Sequence, residues 1–235
     1  MKRIGPDRRW DAADEVLSRL LGGEAGRSGL ENTLLEALQQ GYPLQKLRIL
    51  LRSQDAKAAA AGMWIASELG AGVKPLLDDV VTLMGHPAVR VRFYSLDCVL
   101  MSAGAADEQA INLGLDLIDD PELAVRWKAI VFAATLSDSA LRTALAARVA
   151  RNAARTHGDM LLSLLDLAAS FDSIAIASEL THKEPFVRRF AAAMAARIAQ
   201  RDPGPLKLGL ESADPTIRRF AENMLARLDP TSPRI

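Results

Sequence analysis

A short module that recurs along the chain constrains the fold more than any other feature of the sequence. Residues 119–136 open as a helix start, because Asp120 is a good N-cap and Pro121 suits the first helical position. Residues 86–90, 184–188 and 214–218 restate its proline followed closely by a Val-Arg or Ile-Arg pair. The Val or Ile positions lie 36, 62 and 30 residues apart, and 62 is two units of 31. Periods of this size indicate helix pairs that bury their apolar faces by stacking.

The periodicity predicts an all-α chain with alternating first and second helices, and no alternating strand pattern interrupts it. Two short helices, 11–21 and 30–40, belong to a predicted N-terminal segment and cap over residues 1–42. The repeat array is predicted over 43–229, followed by a disordered tail over 230–235. The predicted helix pairs are 44–52 with 56–69, 73–84 with 88–102, 108–118 with 122–136, 140–154 with 158–170, 173–181 with 186–200, and 205–210 with 216–228.

The module resembles HEAT repeats, in the short form common in bacterial proteins. The likeness rests on the acidic-or-His/Pro step, the Val-Arg or Ile-Arg pair, and a small or apolar residue four positions after the Val. It implies a right-handed, armadillo-like α-solenoid of about six helix pairs with a short N-terminal helical cap. In such arrays the repeated arginine pairs with the acid that opens a neighbouring repeat. That implies a structural ladder of Arg90, Arg126, Arg188 and Arg218 with Asp120, Glu184 and Asp214.

Residues on the far side of each second helix from the core are candidates for a partner-binding surface. At 100° per residue, the offsets two, five and six after the repeated Val or Ile point away from the core. The resemblance implies that this side of the second helices lines a concave face. Trp127 stands where later copies carry polar residues, so we predict that it anchors a partner protein. The predicted surface comprises Met63, Val91, Tyr94, Trp127, Ile130, Val131, Arg189, Arg219 and Asn223.

Composition restricts the classes of partner. Lys plus Arg and Asp plus Glu both number 29, so the formal net charge is zero and nucleic acid is a disfavoured partner. The N-terminal residues lack the apolar run of a signal peptide, and no apolar stretch reaches membrane-spanning length. Cys98 is the single cysteine, which excludes an intrachain disulfide. We therefore expect a cytoplasmic protein that makes no membrane contact.

No catalytic, cofactor or metal signature accompanies the repeats. None of the three histidines has a second ligand at metal-binding spacing, and His86 is interpreted as an N-cap substitute. The glycine-rich residues 22–29 lack the ending of a phosphate-binding loop. One enzyme class with a HEAT-like array, the bacterial alkylpurine DNA glycosylases, remains an alternative through architecture. Trp64 and Glu68 form the nearest aromatic–acid pair on one helical face.

The sequence therefore predicts a non-catalytic, protein-binding solenoid without cofactor or metal. Inhibitors or immunity proteins and scaffolds of complexes are the two roles that class analogy suggests. A DNA-lesion-binding or glycosylase-like protein is the alternative, and it predicts DNA binding that weakens steeply with salt.

Overall fold

The computed structural model describes residues 8–26, 29–151 and 157–228, and over these ranges it is helical and contains no strand. The predicted helices agree with the observed ones to within a few residues, except that 44–52 and 73–84 each combine 3₁₀ and α-helical segments. Residues 1–7, part of the glycine-rich segment, the end of helix 140–154 and the tail lie outside the described residues. The α-helices are α1 Asp11–Arg19, α2 Leu30–Gln39, α3 Arg48–Leu51, α4 Ala56–Glu68, α5 Leu77–Thr82, α6 Val89–Ser102, α7 Glu108–Asp116, α8 Leu123–Thr135, α9 Asp138–Ala150, α10 Gly158–Ser170, α11 Ser173–Glu179, α12 Pro185–Ile198, α13 Gly204–Gly209 and α14 Pro215–Leu228.

The chain divides into two compact units, Met1–Ser102 and Ala103–Ile235. In the first unit, α4 is central and packs against α2, α3 and α6. Small residues on α4 permit this close packing: a Cβ atom on Gly62 would lie 2.7 Å from the Cβ of Leu50. The predicted N-terminal cap belongs to this unit, and the division falls inside the predicted array. The largest fully buried side chains here are Leu20, Leu34, Leu47, Leu50, Leu51, Met63, Ile65, Leu76 and Leu96.

The second unit is built around three second helices whose starts lie together. Phe132 of α8, Phe190 of α12 and Phe220 of α14 are fully buried. Helix α8 packs against both α12 and α14, which also pack against each other. In a linear array each repeat contacts only its neighbours, so α8 would be expected to pack against α10 instead. The second unit therefore departs from a simple linear order of repeats at α8.

A helix-start motif recurs in both units. One side chain accepts a hydrogen bond from the backbone N–H two residues later, which satisfies a donor at the helix start. The acceptors are Ser53 Oγ, His86 Nδ1, Asp120 Oδ1, His182 Nδ1 and Ser212 Oγ, at 2.8–3.2 Å. These residues lie 33, 34, 62 and 30 residues apart, so local geometry and sequence period agree. His86 thus accepts a hydrogen bond just ahead of α6, but it lies two positions before Ala88, whose carbonyl accepts the first helical hydrogen bonds, so it is not the N-cap itself. Asp120 likewise precedes the observed N-cap of α8, Glu122, by two positions.

The arginine of the motif lies six residues after the capping residue and donates its Nη1 to that residue's carbonyl. The donors are Arg92, Arg126, Arg188 and Arg218, at 2.6–3.4 Å from the acceptor. The sequence alignment was therefore wrong by two residues in one copy. Val91-Arg92, not Val89-Arg90, corresponds to Val125-Arg126, and the first spacing becomes 34 residues instead of 36.

Within the described ranges, no single helix is both long enough and apolar enough to cross a membrane. Helices α8 and α9 meet those criteria of length and composition only when taken together, and they are bent by 113° at their junction.

Candidate functional site

A groove in the first unit combines two aromatic side chains with a floor of small residues. Its volume is about 620 Å³, and the start of α2, the exposed side of α4 and the start of α6 bound it. On α4, Ala60, Ala61 and Trp64 share one face with Lys57 because they are three, four and seven residues after it. Trp64 and Tyr94 are half-buried, so each ring keeps a face that a ligand can cover.

Two cations flank the aromatic rings of this groove. Lys57 and Arg90 are exposed and lie in the first turns of α4 and α6, ahead of Trp64 and Tyr94. Within the described part of the chain, neither cation forms an ion pair. The one acid among the lining residues, Glu31, accepts a hydrogen bond from the backbone N–H of Gly26. With two cations and one acid in its lining, the groove offers aromatic surface and a net positive charge to the same ligand.

Trp127 lies in the second unit and is half-buried on α8. Its indole Nε1 is buried and has no hydrogen-bond partner among the described residues. A buried N–H without an acceptor costs about 1–3 kcal/mol. Trp127 as a partner anchor stays a prediction, since part of the ring is accessible but its polar edge is not. The corrected alignment makes Phe93, rather than Val91, its counterpart on α6.

Three members of the predicted surface are core residues. Met63, Val91 and Ile130 are completely buried, so the prediction that they face a partner was wrong. For Val91 the cause is the two-residue shift in alignment, which moves it onto the buried Val position. Met63 and Ile130 are covered because neighbouring helices pack around α4 and α8 on more than one side. Of the remaining predicted residues, Val131 is half-buried, and Arg219 and Asn223 are exposed.

Arg189 holds a polar network together instead of facing a free surface. Its Nε donates to Asp214 at 2.7 Å, and its Nη1 donates to Asp119 at 2.7 Å and to the Ile118 carbonyl at 3.1 Å. The Asp214 side chain is 1% exposed. Burial alone would raise the pKa of Asp214, but the Thr216 N–H and the Arg189 guanidinium stabilise the carboxylate and hold that pKa below its ordinary value. The network is therefore structural.

The predicted arginine–acid ladder appears at one step. Arg188 approaches Asp214, which opens the next copy, with 3.6 Å between Nε and Oδ2. Arg126 and Arg218 donate to carbonyls of their own copy. The repeated arginine therefore donates mainly to carbonyl oxygens at the start of its own helix. The several N–H donors of its planar guanidinium suit this role.

The described residues include neither a metal-binding cluster nor an accessible cysteine. No group of three or more His, Cys, Asp or Glu side chains there could hold a metal ion. Cys98 is fully buried, and burial raises the pKa of its thiol, which keeps it protonated and unreactive. Glu68 is exposed and does not line the groove that contains Trp64, so the pair singled out from the sequence is not brought together in that groove.

Comparisons with known proteins add little to this geometry. No family model and no curated protein matches the chain. Among solved structures it is similar to the crystal structure of an engineered protein, with 15% sequence identity and a TM-score of 0.44. That alignment covers 96% of this chain and 92% of the other.

Proposed function

We propose that the protein binds another protein without catalysing a reaction, and that its helix pairs are HEAT-like repeats. The recurring capping residue and the arginine six positions later support the repeat assignment, because they restate one module at a nearly constant period. The resemblance implies a right-handed solenoid, and the packing of α8 against α12 and α14 is a departure from it within the second unit.

The binding site in this proposal is the groove between α4 and α6, and one observation carries it. Trp64 and Tyr94 flank a floor of small side chains, and two exposed cations without ion pairs stand beside them. Large aromatic side chains with uncovered faces are typical energetic centres of protein interfaces. Lys57 and Arg90 favour carboxylates in the bound segment. The expected occupant is a partner segment with a bulky apolar side chain flanked by acidic residues.

Such a site would serve either of two cytoplasmic roles, that of an inhibitor (an immunity protein) or that of a scaffold. The identity of the partner decides which role applies. Site-specific photocrosslinking tests the proposal, with benzoylphenylalanine placed at Tyr94 and, as a matched control, at Ile49, which is 46% exposed in the same unit. We expect one protein adduct from Tyr94 and none from Ile49.

The purified partner should then bind the Trp64→Ala or Lys57→Glu variant at least about tenfold more weakly than the wild type. Equal adducts from both positions, or unchanged affinity in both variants, would overturn the proposal. Titration with duplex DNA at two salt concentrations covers the glycosylase-like alternative: DNA binding that requires Lys57 and Arg90 and weakens with salt would replace the protein partner.

A further inference from the structure

A second groove lies wholly within the second unit. It has a volume of about 750 Å³ and is bounded by α11, by the residues leading into α12 and α14, and by one side chain from α8. Four cations line it: Arg126, Lys183, Arg188 and Arg189. Lys183 makes no ion pair within the described ranges. Arg126 and Arg188 each donate Nη1 to a backbone carbonyl, and Arg188 Nε also approaches Asp214 Oδ2 at 3.6 Å. Their remaining donors leave this wall of the groove positively charged.

An apolar cavity of about 450 Å³ continues this groove along α11 and α13. The two share Ala177, Leu208 and Glu211, so they form one surface. Ile174 is 84% exposed and Leu208 is 53% exposed, which is unusual for large aliphatic side chains that lie next to each other. Adjacent exposed apolar side chains mark interaction surfaces more often than isolated ones do.

We propose that this groove binds an acidic segment of a second protein, with a bulky apolar side chain at Ile174 and Leu208 and carboxylates at Arg126, Lys183 and Arg188. The charge pattern selects this occupant. Arg189 also lines the groove, but its charge is offset by Asp214 and Asp119. Arg188 shares Asp214 at the longer distance of 3.6 Å, so among the described residues Arg126 and Lys183 are the lining cations without an ion pair, and they outnumber the remaining acid, Glu211.

The apolar half of the groove favours a peptide over a nucleic acid or a free anion. Phosphate backbones and small anions gain nothing from covering Ile174 and Leu208, whereas an amphipathic peptide buries them. This surface lies in a different unit from the Trp64 groove, so the inference stands or fails independently of the proposed function. A protein with both surfaces would bring two partner segments onto one chain.

Selection of short random peptides displayed on phage against the full-length protein tests the inference. We expect enriched peptides to combine Leu, Ile or Phe with Asp and Glu, and to bind with affinities measurable by fluorescence anisotropy. Lys183→Glu and Leu208→Ser should each weaken a selected peptide roughly tenfold or more. Arg227→Glu is the matched charge reversal at an exposed cation of the same unit that lies outside this groove, and it should leave the affinity unchanged.

Three outcomes would overturn the inference. The first is that the enriched peptides are basic or lack acidic residues, and the second is that Lys183→Glu and Leu208→Ser bind as the wild type does. Alternatively, a duplex oligonucleotide could bind in a manner that Lys183→Glu abolishes, which would assign the groove to nucleic acid. Because the side chains of Lys183 and Leu208 are exposed, the circular dichroism spectrum of each variant should match that of the wild type. A loss of binding then reports on the groove itself.

Discussion

Replacing Arg189 by methionine tests whether this arginine is structural, as its contacts indicate, or free to bind a partner, as the sequence predicts. Methionine keeps the unbranched aliphatic stem but removes the donors to Asp214, Asp119 and the Ile118 carbonyl. The Asp214 carboxylate is then left with the Thr216 N–H and the more distant Arg188 guanidinium. Because that carboxylate is almost fully buried, the variant carries an undercompensated charge in the protein interior.

The loss in free energy of unfolding should be about 3 kcal/mol, the lower end of the range for breaking a buried ion pair, because two partners of Asp214 remain. A loss of that size lowers the melting temperature by roughly 6–12 °C in a chain of this length. Arg219→Met is the matched control, since Arg219 is the same position of the next copy and is exposed. It should change stability by less than about 0.5 kcal/mol.

The pH dependence gives a second, independent readout. The folded-state pKa of Asp214 lies below its ordinary value, so its stabilising contribution is complete above about pH 3.9 and is lost as the pH falls through the folded value. Arg189→Met raises that pKa, and the stability gap to the wild type should therefore narrow below about pH 4. Urea unfolding followed by circular dichroism at neutral and acidic pH measures this gap. A gap below about 1 kcal/mol, or one independent of pH, would refute the reasoning.

Three further substitutions test the packing. Arg92→Ala should lower the free energy of unfolding by about 2 kcal/mol, because it removes charged hydrogen bonds to two carbonyls. Arg90→Ala should lower it by less than about 0.5 kcal/mol. Equal losses of the two variants in urea unfolding would contradict the corrected alignment. Gly62→Ala should destabilise by about 1 kcal/mol, since the clash with Leu50 outweighs the gain in helix propensity; a higher melting temperature would mean that α3 and α4 are further apart. Trp127→Phe removes the unpaired N–H and should stay within about 1 kcal/mol of the wild type, whereas Trp127→Ala should lose about 2–3 kcal/mol in thermal unfolding.

The sequence predicts the helices well because their signals are local. Caps, glycine breaks and apolar periodicity act over a few residues, and the helix 158–170 is found at its predicted bounds. The alignment of one copy failed because residues 89–92 read Val-Arg-Val-Arg, so two dipeptides fit the pattern. The position of the proline favoured the wrong dipeptide, Val89-Arg90. Pro87 directly follows its capping residue, His86, whereas Pro185 stands three positions after its capping residue, His182. The carbonyl contact of Arg92, which the sequence does not reveal, decides between them.

The candidate sites were harder to predict because burial depends on which helices meet, and that is not a local property. Trp64 was singled out with Glu68, but its aromatic neighbour in the groove is Tyr94, on a different helix. No spacing in the sequence brings those two together. The predicted anchor Trp127 and the groove beside Trp64 share the signal of a large aromatic side chain among small residues. That signal identifies candidate binding residues, but the packing of the helices decides which aromatic ring keeps a face that a partner can cover.

The departure of α8 from a linear order of repeats also creates the second groove. Arg126 belongs to α8, and its Nε donates to Thr216 Oγ1 at 3.1 Å, 90 residues further along the chain. Thr216 is completely buried, so its hydroxyl requires a partner inside the protein, and Arg126 supplies one. If α8 packed against α10 instead, Arg126 would lie away from Lys183 and Arg188, and the groove would lose one of its four lining cations. The same contact that breaks the regular order of repeats therefore assembles the charge that the proposed acidic segment would recognise.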